Sequence, residues 1–135
     1  MNRVFANTSY WVAISWIDDQ WRESAIEASE KIGNAEIVTI EAILIEVLNY
    51  FSEFRFDVKQ KITLVVERIL QNENTLVLLH NHEDFLKALE LYKSRLDKGY
   101  SLTDCISMNA MRDFTINEIL TNDTHFQQEE FIKLF

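Results

Sequence analysis

Arg3-Val4-Phe5-Ala6-Asn7-Thr8-Ser9-Tyr10-Trp11-Val12-Ala13 passes from a short apolar run into three small polar residues and back into an apolar one. A buried strand that hands over to a helix reads this way, because the strand needs only a few apolar residues and the helix start needs polar atoms for its free N–H groups. In parallel α/β proteins, ligands collect at the carboxyl ends of strands. Asn7 therefore stands where a binding site is expected, and Ser9 is a plausible N-cap for a helix beginning near Tyr10.

The composition frames that reading. The chain has 135 residues, 47% of them hydrophobic and 26% charged, with sixteen aromatic side chains. That length suits a single domain, 1–135, with a sizeable core. Cys105 is the only cysteine, which excludes an internal disulfide and a thiolate metal site. No cationic segment leads into an apolar core near the start, and no run of about 18 apolar residues occurs, so a cytoplasmic protein without a membrane span is expected. The net charge of -9 opposes indiscriminate attraction to nucleic acid. Carboxylates gathered around divalent cations contribute to such an imbalance, and a local basic strip can still meet phosphates.

Working outward from the opening stretch, strands and helices alternate. Trp21 to Ile32 reads as a helix stopped by Gly33, Glu36 to Thr39 as a second strand, and Asp57 to Gln71 as another helix. Ile40, Ile43, Leu44, Val47, Leu48, Phe51 and Phe54 recur at three- and four-residue steps, the mark of a helix with one wide apolar face. Thr75 to Leu79 is a third strand, and Glu83 to Lys98 a helix. Ser101 opens a helix running to about Arg112, Ile116 to Leu120 is a fourth strand, and Phe131 to Phe135 a fifth at an edge. The order βααβααβααβαβ predicts a three-layer α/β/α sandwich around a central, mainly parallel sheet of four to five strands.

Four oxygen-bearing residues fall near strand ends or on the helices that follow: Asn7, Glu46, Asp104 and Asp123. Hard cations such as Mg²⁺ and Mn²⁺ take oxygen ligands, and in nucleases they activate water and stabilise a leaving oxygen. Each residue also has a plainer reading. Asp104 stands three after Ser101, as in a capping box; Asp123 sits in a turn; Glu46 is a surface glutamate beside an apolar stripe; Asn7 ends a strand. Glu41 competes with Glu46. At about 100° per residue the two project about 140° apart, so both cannot serve one small site, and periodicity does not choose.

Other polar clusters are less specific. His80-Asn81-His82-Glu83-Asp84 lies between a strand and a helix, where capping residues are expected, and no third soft ligand accompanies it for zinc. His125 lies near Asp123 and is either a substrate contact or an exposed helix-start residue. Lys93, Arg95 and Lys98 form a basic group suited to RNA or to a solvated helix end. Trp11, Trp16 and Trp21 suit either an interface or the core.

Four segments taken together resemble a PIN domain, and more narrowly the VapC-type ribonuclease toxins of prokaryotic toxin–antitoxin modules. They are Val4-Phe5-Ala6-Asn7-Thr8-Ser9, Glu41-Ala42-Ile43-Leu44-Ile45-Glu46-Val47-Leu48-Asn49, Ser101-Leu102-Thr103-Asp104-Cys105-Ile106-Ser107 and Leu120-Thr121-Asn122-Asp123-Thr124-His125-Phe126. The resemblance spans nearly the whole chain. It implies an endoribonuclease that holds Mg²⁺ or Mn²⁺ on clustered carboxylates, with RNA as substrate, a cognate antitoxin as partner and a homodimeric state. Glu46, Asp104 and Asp123 match its acidic positions, Glu46 being preferred to Glu41 on this pattern alone. Thr8, Ser9 and Thr121 match hydroxyl residues that support the cluster. Asn7 departs from it, since the family carries aspartate there. An amide oxygen still coordinates a cation but brings no charge, so weak metal binding and little or no cleavage are expected. The alternative is a PIN-like module that binds RNA or protein without catalysis.

Overall fold

The structure, a computed structural model, describes residues 2–135. The chain order is β1 (Arg3–Ala6), α1 (Thr8–Ser15), α2 (Arg22–Lys31), β2 (Glu36–Ile40), α3 (Glu41–Tyr50), α4 (Phe56–Gln71), β3 (Thr75–Leu78), α5 (His82–Ser94), α6 (Leu102–Asp113), β4 (Glu118–Leu120), α7 (His125–Gln128) and β5 (Ile132–Lys133). This is the predicted order, and the sheet is more uniform than expected. All five strands are parallel, in the order β3-β2-β1-β4-β5.

That order puts β1 at the centre and makes the chain reverse direction across the sheet after β3. With right-handed crossovers, the helices before the reversal cover one face and those after it the other. The packing agrees: α1 lies on α2 and α3, α3 on α4, and α5 on α6. A reversal of this kind opens a crevice at the carboxyl ends of the strands that part from each other, here β1 and β4.

The apolar opening run is buried on both faces. Val4, Phe5 and Ala6 have no exposed surface, and Phe5 sits between Val38 of β2 and Ile119 of β4 in register. Cutting Phe5 back to alanine would cost about 3 kcal/mol or more through lost transfer energy and the cavity left behind. The apolar face of α3 is likewise real: Ile43, Leu44, Val47 and the following Phe51 are buried, while Leu48 stands at its edge.

Two helix boundaries are corrected, and the tryptophans are divided between their two expected fates. The first helix starts at Thr8, because the Asn7 carbonyl already accepts from the N–H groups of Tyr10 and Trp11 at 3.2 and 3.4 Å. Asn7 is thus the N-cap residue, and Ser9 lies inside the first turn. The helix expected to reach Lys98 ends at Ser94, where Arg95 turns away to meet Glu129. Trp11 takes the core placement, buried with its indole N–H directed at Thr39. Trp16 packs edge-on against Phe51 and Phe54, which leaves Trp21 as the exposed tryptophan. Gly33 ends the second helical run as expected, at φ +59°, a left-handed conformation that costs a side-chain-bearing residue about 1 kcal/mol.

Candidate active site

Asn7, Thr8 and Ser9 leave the end of β1, and Thr121 to Asp123 leave the end of β4, so the parallel pairing of those strands brings both segments to one crevice. α3 delivers Glu46 from one helical layer, and the first turn of α6 delivers Asp104 from the other. Asn7, Glu46, Asp104 and Asp123 all line a single cavity of about 720 Å³, together with Thr8 and Ser9. Glu41 is exposed and lies outside it. Four residues separated by up to 116 positions converge, although each had a local explanation.

Thr121 knits the floor of this cavity. It is fully buried, and its hydroxyl oxygen accepts from the Asn7 side-chain amide at 3.2 Å and from the Asp123 backbone N–H at 3.0 Å. With both lone pairs engaged, its own hydrogen is left for Ser9 Oγ at 3.1 Å. Ser9 Oγ in turn accepts from the Asn122 backbone at 3.4 Å. On the other wall, Thr8 donates to Glu46 and holds the glutamate carboxylate near the end of β1.

The Asp104 capping box and its place in the site coexist. Its carboxylate accepts from the Ser101 backbone at 3.1 Å while Ser101 Oγ accepts from the Asp104 N–H at 3.0 Å. The same carboxylate oxygen lies 3.3 Å from His125 Nδ1, and Asp123 Oδ1 lies 3.3 Å from that same nitrogen. Burial raises the Asp104 pKa, as does the charge of Asp123, against the opposing pull of the Ser101 backbone and His125 hydrogen bonds. Carboxylates pressed together in this way gain from a cation between them.

The donor chemistry fits a divalent ion. Asp104, Asp123 and His125 each offer one ligand atom, and those atoms lie within 4.8 Å of one another; among the described residues no other group of three acidic, histidine or cysteine side chains does so. Glu46 stands back from this trio on the opposite wall. The His80 to Asp84 segment serves a different end: Asn81 and Asp84 form a reciprocal capping box at the start of α5.

Sequence reasoning missed the support behind the trio. Glu129, 5% exposed, accepts from Arg95 at 2.8 Å, Arg112 at 2.8 Å and the Tyr100 hydroxyl at 2.9 Å. Burial alone would raise its pKa, but the three hydrogen bonds prevail and bring it down to about 2. Tyr100 is pushed up to about 12 by burial and by that same carboxylate. The clamp ties the end of α5, the segment before α6 and the turn after α7 together, and the Tyr100 ring packs on His125 at 5.4 Å. Arg95 is therefore committed to Glu129, while Lys93 pairs with Glu90 and Lys98 with Asp97, so the expected basic strip is largely neutralised. No local pattern marks Glu129, because all its partners are distant in sequence.

No family model matches the sequence, and neither does any curated protein. Among solved structures, the chain is similar to Mycobacterium tuberculosis VapC20, described as a sarcin-ricin loop cleaving toxin, with a TM-score of 0.85 and 19% identity over 96% of each chain. The chain thus has the fold of a VapC toxin, the PIN-like α/β sandwich that the four sequence segments implied. Among the described residues no helix is long and apolar enough to cross a membrane.

Proposed function

We propose that this chain is a VapC-type endoribonuclease toxin that cleaves RNA phosphodiester bonds using Mg²⁺ or Mn²⁺, and that Asn7 leaves it impaired. The observation that carries this reading is the convergence of Asn7, Glu46, Asp104 and Asp123 on one cavity at the carboxyl ends of β1 and β4, in a chain with the VapC20 fold. When bound, such an ion activates water for attack on phosphorus and stabilises the leaving oxygen. Asp104 and Asp123 supply its charged ligands, with Glu46 on the facing wall. Asn7 contributes a neutral oxygen where an aspartate would add a full charge. Thr8, Ser9 and Thr121 act through the ligands, holding Glu46, Asn7 and the Asp123 backbone in place.

RNA is the proposed substrate, and the cation offsets the repulsion between its phosphates and a chain of net charge -9. A cognate antitoxin is the proposed partner, with Trp21, exposed on the cavity rim, as an anchor for it. Exposed Phe85, Leu89 and Tyr92 form one apolar row on α5, which supports a homodimer. The proposed setting is the cytoplasm.

A second reading, a non-catalytic module that binds RNA or protein, is favoured by one observation: the Asn7 amide has an acceptor ready for it in the Thr121 hydroxyl. Expression in a bacterial host separates the two. The ribonuclease reading expects Asn7→Asp to arrest growth and leave cut RNA, with the parent chain much weaker and the Asn7→Asp/Asp104→Asn pair silent. Normal growth and intact RNA with all three, at equal soluble levels, would support the binding module.

A further inference from the structure

His125 belongs to none of the acidic positions, yet its Nδ1 is 3.3 Å from a carboxylate oxygen of Asp104 and 3.3 Å from one of Asp123. Ligand atoms bound at about 2.1 Å to one ion lie about 3.0–3.5 Å apart when adjacent in an octahedral or tetrahedral shell. Both contacts of the imidazole nitrogen thus have the spacing of neighbours in a coordination sphere, and the ligand atoms of all three residues lie within 4.8 Å of one another. The ring is also held in place. Tyr100 packs against it, and the absence of a side chain at Gly99 makes room for it, since a Cβ there would come within 3.2 Å of His125 Nε2.

A second observation comes from the other side of the cavity. Asn7 is 6% exposed, and its amide nitrogen is anchored on Thr121, but among the described residues no donor reaches its side-chain oxygen. That oxygen is not sealed in the core as Ser15 Oγ and Ser107 Oγ are, so it opens on the cavity that His125 also lines. An amide oxygen open to a pocket of carboxylates is a position that a hard cation can take as a ligand.

The geometry points to His125 as a metal ligand, forming with Asp104 and Asp123 a two-carboxylate, one-imidazole triad that selects a first-row transition ion over Mg²⁺. First-row transition ions, Mn²⁺ the weakest of them, accept an imidazole nitrogen more readily than Mg²⁺, which keeps to oxygen and gives up its waters reluctantly. The assignment rests on the metal-dependent reading above but separates from it, because it concerns which atoms hold the ion and not what the ion cleaves.

The test uses the full chain and Mn²⁺ as probe. Pulsed electron paramagnetic resonance of bound Mn²⁺ is expected to show coupling to a coordinated imidazole ¹⁴N. The coupling should be lost in His125→Gln and kept in His80→Gln/His82→Gln, which removes the two other histidines of the chain. Titration calorimetry is expected to show Mn²⁺ bound about tenfold or more tighter than Mg²⁺, with the gap closing in His125→Gln. Bound Mn²⁺ without nitrogen coupling in the parent chain overturns the assignment and leaves the nuclease reading intact; no Mn²⁺ binding by either the parent chain or Asn7→Asp overturns both. Nitrogen-coupled Mn²⁺ in a protein that cuts no RNA even as Asn7→Asp upholds His125 and sinks the nuclease. The parent spectrum decides the assignment even if His125→Gln fails to fold.

Discussion

The side-chain amide of Asn7 donates to the hydroxyl of Thr121 at 3.2 Å, joining the ends of β1 and β4 across 114 positions of sequence. The direction of that bond matters. An aspartate at position 7 would have to accept from Thr121, and Thr121 would then have no hydrogen for Ser9, which would donate to it instead. The Thr121 and Ser9 hydroxyls keep their hydrogen bonds either way, so the exchange of carboxylate for amide leaves that part of the network intact.

Thr121 is accordingly more exposed to mutation than Asn7. Thr121→Val keeps the shape but removes the acceptor of the Asn7 amide and the Asp123 N–H. A loss of about 2 kcal/mol is expected in urea unfolding, together with weaker Mn²⁺ binding. Asn7→Asp should change stability by less than that in the absence of metal. A larger loss for Asn7→Asp than for Thr121→Val would contradict the network as described.

Glu46 and Glu41 give a cleaner contrast. Glu46 is held by Thr8 at the cavity wall, and Glu41 is exposed outside it. Glu46→Gln is expected to weaken Mn²⁺ or Mg²⁺ binding about tenfold, in keeping with the loss of a group that orients or holds the ion, whereas Glu41→Gln should leave it unchanged. Calorimetric titration of the two variants settles which glutamate serves the site.

Much of the fold could be read from residues because the signals were local. The apolar run Val4 to Ala6, the three- and four-step pattern of α3, and Gly33 each determine an element without reference to the rest of the chain. The boundaries that differ lie where other contacts intervene: Arg95 leaves the helical path for Glu129, and Asn7 takes the N-cap position of α1 in place of Ser9. The candidate site was legible only as residues near strand ends. Periodicity did not choose between Glu46 and Glu41; the family pattern did, and the packing of α3 against α1 agrees, while the contact of His125 with the distant Asp104 carboxylate has no local signal.

The Glu129 clamp makes a prediction about acid. Its pKa is lowered from 4.5 to about 2 in the folded chain, so it binds a proton less readily folded than unfolded. Its stabilisation is therefore complete above about pH 4.5 and fades as pH falls towards 2. Glu129→Gln should cost about 2 kcal/mol at pH 7, a figure held down by the partial exposure of Arg95 and Arg112, and should flatten the stability profile between those pH values. Urea midpoints measured across that range check it; parallel profiles for the parent and the variant would refute the clamp.

The central claim is that a metal-dependent RNA-cutting site is present with its first charge removed, and purified protein tests it most directly. Single-turnover cleavage of RNA should be at least about a hundredfold faster for Asn7→Asp than for the parent chain, a difference of about 2.7 kcal/mol in barrier. It should require Mn²⁺ or Mg²⁺, stop with a chelator, and vanish when Asp104→Asn is added. If neither the parent nor Asn7→Asp cuts any RNA with either ion, or if cleavage persists in the chelator, the account is wrong.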